Sequence, residues 1–142
     1  MTYRILKATR QDARKLRDIW WEGKDAIPLK TEATLEQQIG FWEEWTTYRH
    51  AWKLLGDGAI QALMLVHGDE IEYIVVRESY RGKRAATRLL SYAKRRVRRR
   101  GGRCLIAKTK GSNAPMRAAL VRAGFVFKSS DADDWSHYEW NA

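Results

Sequence analysis

The feature that most constrains this chain is a strand, a helix and a second strand laid end to end. Glu70–Val76 is a run rich in apolar and β-branched residues and reads as a strand. From about Ala85 to Arg100, apolar residues fall at Ala86, Leu89, Leu90, Ala93 and Val97, which is helical spacing. Gly101-Gly102 ends that helix. Cys104–Lys108 then reads as a short strand of the buried type. A strand–helix–strand crossover of this kind predicts that the two strands are parallel neighbours in one sheet.

The flanking segments fill in the sheet. Tyr3–Lys7 reads as a first strand. Thr9 looks like an N-cap with Asp12 three residues on, and Ala13, Leu16, Ile19 and Trp20 give the following helix one apolar face. Pro28 is placed in a loop. Thr34 and Gln37 repeat the capping pattern ahead of a second helix marked by Leu35, Ile39 and Trp42. Ala51–Leu55, Ala59–Val66 and Glu70–Val76 are separated by Asp57-Gly58 and His67-Gly68-Asp69, which predicts an antiparallel meander. Pro115 opens a helix with an inner face of Met116, Ala119, Leu120 and Ala123, closed by Gly124. Phe125–Lys128 and His137–Trp140 read as two final strands. The order predicts an α/β (α+β) architecture: a central mixed sheet with helices on both faces.

At 142 residues the chain is one ordinary domain, spanning 1–142, with enough length for one hydrophobic core. No apolar run approaches the roughly 20 residues of a membrane helix, and the first residues lack a signal-peptide core, so a cytoplasmic location and no membrane partner are expected. One cysteine, Cys104, and three scattered histidines argue against a disulfide framework or a metal site. The formal net charge is +10, and from Lys94 to Arg103 seven of ten residues are Lys or Arg. That run is either a solvated helix face or a polyanion-binding patch.

The segment from Val75 to Leu90 carries the chemistry. A buried strand runs into a basic loop with a glycine, then directly into a helix. The free amides of the helix's first turn and the helix dipole both favour an anion there, and pyrophosphate is the anion they suit. Arg81, Lys83 and Arg84 add full positive charges.

This loop resembles the acyl-CoA-binding motif of the GNAT N-acetyltransferase superfamily: Gln or Arg, two residues, Gly, one residue, then Gly or Ala. Arg81 matches the first position and Ala86 the last. Arg84 stands where the glycine is usual, in a backbone expected to be helical. Tyr3 to Ala13 resembles the family's first strand and capped helix, and Asn113 to Gly124-Phe125 its second cofactor-side segment. The resemblance covers essentially the whole chain. It implies a GNAT-like fold and an acyltransferase that moves an acetyl group from acetyl-CoA to a primary amine of a small-molecule or protein acceptor. Attack is direct, with both substrates bound. By the same resemblance, backbone amides near Ile74, Val75 and Val76 pair with the pantetheine arm and polarise the thioester carbonyl. Gly82, Lys83, Arg84, Ala85 and Ala86, with Arg81, hold the pyrophosphate, and Asn113 contacts the arm.

Family members often place a carboxylate base on the fourth strand. Glu70 and Glu72 are two apart, so both are expected on one side of it, and burial there would raise a carboxyl pKa towards neutrality. The family's usual acid, a tyrosine seven residues after the Asn, is replaced by Leu120. Tyr138 and Cys104 are the substitutes considered, each against a plain packing role. Trp20, Trp21, Phe41, Trp42, Trp45 and Trp52 crowd the first third of the chain, and Trp21 and Trp45 lie off the expected buried stripes. They are candidates for an acceptor pocket or a homodimer surface. Lys94–Arg103 is a candidate for recruiting a nucleic-acid or ribosome-associated acceptor. Two other readings stay open: a catalytically weak or inactive module that binds nucleic acid or protein through its basic helix, and a toxin-like enzyme acetylating aminoacyl-tRNA.

Overall fold

The parallel pair expected from the crossover is present, and the other elements are arranged around it. The computed structural model describes residues 2–23, 32–48 and 50–142; Pro28 lies outside them. The described strands are β1 (Tyr3–Lys7), β2 (His50–Gly56), β3 (Ala59–His67), β4 (Glu70–Val76), β5 (Cys104–Lys110), β6 (Val126–Ser130) and β7 (Trp135–Asn141). They form one sheet in the order β1-β2-β3-β4-β5-β7-β6. Strands β4 and β5 run parallel and every other neighbouring pair is antiparallel.

Four described helices cover the sheet: α1 (Ala13–Glu22), α2 (Leu35–Tyr48), α3 (Ala85–Arg99) and α4 (Ala114–Arg122). One core forms where α1 and α2 meet Leu63, Leu65 and Val75 of the sheet. The other forms where α3 and α4 meet Leu54, Met64, Leu105 and Ala107. Adjacent residues of one strand thus feed opposite cores, as the pleat requires.

Local chemistry sets the boundaries. The Thr9 amide donates to the Asp12 carboxylate at 2.8 Å, fixing the turn that leads into α1. Thr34 and Gln37 cap α2 reciprocally, at 2.9 and 3.2 Å. Asp57 and Gly58 both have positive φ, as a tight two-residue hairpin needs. Gly101, at φ 77°, lets the Gly102 amide reach back to the Val97 carbonyl at 2.9 Å and close α3. The inner face of α2 differs from expectation. Leu35 is exposed, whereas Gln38, Trp42 and Thr46 are buried. Gln38 is tolerated inside because Arg17 Nε donates to its Oε1 at 2.7 Å, and the Thr46 hydroxyl bonds back to the Trp42 carbonyl at 3.0 Å.

Candidate active site

Strands β4 and β5 begin as a pair and then part. Their ladder contains only Glu70 with Ile106 and Ile71 with Ala107. Beyond that point β4 stays paired with β3 up to Val76, and β5 stays paired with β7 up to Lys110. The two facing edges, Glu72–Val76 and Lys108–Lys110, therefore carry backbone groups with no ladder partner in the middle of a sheet. Buried backbone N–H and C=O groups require partners, so this gap is suited to an extended ligand that brings its own amides. A cleft with about 410 Å³ of empty space, part of it open to solvent, fills the gap. Ile71, Ile74, Met116 and Leu120 line it on the α3/α4 side, and Tyr73, Lys108 and Trp135 line it too.

A bulge in β4 governs which side chains enter. Leu65 opposes Tyr73 while Val66 opposes Ile71, so Glu72 is an extra residue. Ile71, Ile74 and Val76 consequently pack towards α3, and Tyr73 and Val75 towards α1 and α2. The expectation that alternation puts Glu70 and Glu72 on one side does not carry across the bulge. Glu70 is in register with Ile106, which points away from the α3 core, so Glu70 faces the α1/α2 side. Both carboxylates are half-buried rather than buried.

The loop after β4 leads into α3 as expected. Gly82 has φ +75°, and a Cβ built on it would meet nothing within 4 Å, so its backbone borders open space. Arg84 is not helical. It is the N-cap of α3 at φ 65°, ψ 22°, in the left-handed region. The glycine usual at this position is thus explained by backbone conformation as well as by close approach to phosphate. Arg81 Nε donates to the Val76 carbonyl at 3.3 Å and Arg88 Nη1 to the Lys83 carbonyl at 2.7 Å, holding the loop against the strand end and the helix. Arg81, Lys83 and Arg84 are exposed. Asn113 lines the cleft and caps α4, its Oδ1 accepting from the Met116 amide at 3.3 Å. Its Nδ2 makes no hydrogen bond among the described residues.

Of the residues expected at the site, Ile74 and Asn113 line the cleft; Glu70 sits at the last β4–β5 ladder pair beside it, and the loop from Arg81 to Ala86 follows the far end of β4. The structure does not bring Tyr138 there. That side chain is buried beneath α4, and its oxygen accepts from Arg117 Nε at 3.1 Å. Cys104 is also elsewhere: its thiol donates to Glu139 at 3.2 Å, and burial together with that carboxylate pushes its pKa up. Leu120, at the family's acid position, is buried. Among the tryptophans, Trp20, Trp42 and Trp52 are core residues. Trp45 stacks on Trp42 at 5.6 Å and reaches Tyr73 at 6.4 Å. Trp21 is partly exposed beneath the Arg17 guanidinium.

Much of the basic run folds back onto the protein. Arg96 lies 4.4 Å over Trp52, Arg98 lies 4.9 Å over Trp140, and Lys94 Nζ donates to the Ala123 carbonyl at 2.7 Å, closing α4. Arg100 pairs with Asp69. Burial, with the nearby charges of Lys7, Arg96 and Arg100, holds His50 below its usual pKa.

Sequence reasoning missed Trp135 and Lys108 as cleft residues. Their signal is the continuation of β5 to Lys110, which sets Lys108 and Lys110 on the face opposite Ala107 and Thr109 and aligns Lys110 with Trp135. Among the described residues, no helix is long and apolar enough to cross a membrane, and no group of three or more His, Cys, Asp or Glu is placed to hold a metal.

The sequence profile of the acetyltransferase (GNAT) family matches residues 13–125. The chain belongs to that family. Among solved structures it is similar to an acetyltransferase from Thermus thermophilus, at 17% identity and a TM-score of 0.82, covering 100% of this chain and 98% of that one. A putative acetyltransferase from Salmonella typhimurium, solved with its cofactor acetyl-CoA, superposes at TM-score 0.77 and 16% identity, over 99% and 94% of the two chains. A ribosomal L7/L12 alpha-N-protein acetyltransferase in complex with coenzyme A gives TM-score 0.81 at 12% identity, over 99% and 94%. These similarities show the fold. No curated protein matches the sequence.

Proposed function

We propose that the chain transfers an acetyl group from acetyl-CoA to a primary amine by direct attack with both substrates bound. The observation that supports this best is the parting of β4 and β5 beside a basic loop and a helix N-terminus. Two unpaired strand edges fit an extended arm with its own amides, and the loop fits its phosphates.

Acetyl-CoA supplies, when bound, a thioester carbonyl activated towards amines. The residues of the chain do the rest. The loop from Arg81 to Ala86 holds the pyrophosphate with backbone amides and the Arg81, Lys83 and Arg84 charges. The β4 edge at Ile74–Val76 and the Asn113 amide hold the arm, and β4 N–H groups stabilise negative charge developing on the carbonyl oxygen. Glu70, on the α1/α2 side, accepts the amine proton, directly or through water, with Glu72 as the second carboxylate in reach of that role. The new bond joins nitrogen to the acyl carbon, the C–S bond breaks, and its electron pair leaves on sulfur. Thiolate is a good leaving group, so a reaction without an acid at Leu120 is chemically sufficient.

Binding and turnover test the reading separately. A ligand at 100 times its Kd stabilises the folded state by about 2.7 kcal/mol, or roughly 5–10 °C for a domain of this size. Acetyl-CoA and CoA are expected to raise the Tm by that amount. Glu70→Gln is expected to lower kcat for a panel of amines by about 10²-fold or more while keeping that shift. No shift at millimolar CoA would overturn the reading. A binding module based on the exposed Arg99 and Arg103 would then lead, and a polyanion would raise the His50 pKa followed by NMR.

A further inference from the structure

Lys108 stands apart from the other half-buried lysines. Lys53 Nζ meets Asp12 at 2.9 Å, Lys94 Nζ the Ala123 carbonyl at 2.7 Å, and Lys110 Nζ the Asp133 carbonyl at 2.8 Å. Lys108 Nζ has no hydrogen bond and no carboxylate within 4 Å among the described residues. It sits between two rings, 5.8 Å from the centre of Tyr73 on β4 and 5.4 Å from that of Trp135 on β7. A ring face offsets part of the desolvation of an ammonium but offers no oxygen.

Position tells which substrate this charge addresses. Leu105 and Ala107 pack towards α3 and α4, so Lys108 projects from the opposite face, the one Tyr73 and Glu70 share. It lies just past the last ladder pair, Ile71 with Ala107, where the gap begins. The phosphate-type loop follows Val76 at the other end of the gap, roughly 13 Å along β4, and opens towards α3. The cofactor phosphates are thus served elsewhere. Among the described residues lining the cleft, Lys108 and Lys110 are the charged ones, and both are positive. An acceptor amine that reaches Glu70 gains nothing from these lysines by its own charge. An acceptor that carries a negative group beside its amine is held by it.

We propose that the acceptor of this transferase carries an anionic group, a carboxylate or a phosphate, which Lys108 binds between the rings of Tyr73 and Trp135. The inference rests on the acetyl-transfer reading above and narrows its substrate class. An ammonium paired with an anion in a partly dry, ring-walled site contributes more than the same pair in water.

Matched product pairs test it without turnover. N-acetylphenylalanine and N-phenethylacetamide differ by a carboxylate; O-phospho-N-acetylethanolamine and N-acetylethanolamine differ by a phosphate. Each is titrated calorimetrically onto the full chain saturated with CoA. The anionic member of one pair is expected to bind at least tenfold more tightly, and which pair shows this identifies carboxylate or phosphate. Lys108→Met is expected to abolish the preference and Lys108→Arg to keep it, each measured at saturating CoA. Equal binding within both pairs, no binding of either anionic member, or a preference that survives Lys108→Met would overturn the proposal. Repeating the titrations without CoA separates the two readings: a protein that binds no CoA refutes acetyl transfer, while the pairs still report on Lys108.

Discussion

Replacing Arg84 separates backbone strain from cofactor charge, because the two effects have opposite signs. Arg84 holds φ 65° and ψ 22° at the start of α3, a conformation that costs a residue with a Cβ about 1–2 kcal/mol. Its carbonyl accepts from the Arg88 amide at 3.0 Å, so the conformation is built into the first turn. Arg84→Gly removes the strain but adds freedom to the unfolded chain, worth about 0.4–1 kcal/mol. The net expectation is a gain of about 0.5–1 kcal/mol, or a Tm higher by roughly 1–4 °C. Arg84→Ala loses the same charge and keeps the strain, so the difference between the two variants reports the backbone alone, at about 1 kcal/mol in favour of glycine. Affinity for CoA moves the other way. A unit charge about 4 Å from a phosphate in water is worth about 1 kcal/mol, so both variants are expected to bind CoA about fivefold more weakly at low salt, and less so at high salt. Urea denaturation of the three proteins and CoA titrations at two ionic strengths check both halves. An Arg84→Gly protein no more stable than Arg84→Ala would refute the strain argument. Tighter CoA binding on loss of the charge would show that the arginine crowds the cofactor rather than clamping it.

Asp12 offers a pH-dependent test of the fold. Burial pushes its pKa up, but hydrogen bonds from the Thr9 amide and the pairing with Lys53 outweigh this and hold the carboxyl below its ordinary 3.8. A depressed pKa contributes stability that is complete above the unfolded value and lost as pH falls through the folded one. Asp12→Ala is thus expected to cost about 1–3 kcal/mol between pH 5 and 8, with the gap from wild type closing below about pH 4; a gap constant down to pH 2 would remove the ion pair from the account. Leu120→Tyr restores the family's acid residue at a site that is 1% exposed. It is expected to destabilise by about 1–3 kcal/mol through overpacking, and a stable variant with higher kcat would instead show that the cleft accepts a phenol there.

The sheet was legible because its elements obey simple periods. Leu89, Leu90, Ala93 and Val97 recur at helical spacing, the Asp57-Gly58 turn marks a hairpin, and the crossover from Glu70 to Lys108 admits one strand arrangement. What failed depended on contacts between distant residues. Leu35 fits an apolar stripe, yet α2 is rotated to bury Gln38 and Thr46, which a partner on α1 and a back-bond make tolerable. Nothing local marks the bulge at Glu72, since no glycine stands there; it is set by the pairing of β4 with β3. Arg84 was read one residue too far into the helix, because a cap and a first turn share the same residue types when the cap is not Ser, Thr, Asp or Asn. Lys108 and Trp135 are far apart in the chain and meet only because β7 inserts between β5 and β6.

The net charge of +10 shows the same dependence on packing. As composition it points to polyanions in general. In the fold it divides into groups with separate tasks. Arg96 and Arg98 lay their stems and charges over Trp52 and Trp140, and Lys94 closes α4, so these charges complete the surface of the α3 core. Arg81, Lys83 and Arg84 gather where a strand edge meets a helix N-terminus, on the α3 side of the gap. Lys108 faces the other side, where no carbonyl or carboxylate among the described residues meets it. The bulge at Glu72 makes this division possible. It turns Ile74 and Val76 towards α3 and Tyr73 towards α1 and α2, so one strand presents side chains to both faces of the sheet beside the gap. On the proposed reading, this division assigns Lys108 to the acceptor rather than to the cofactor, because a purely cationic amine gains nothing from a lysine that no carboxylate offsets.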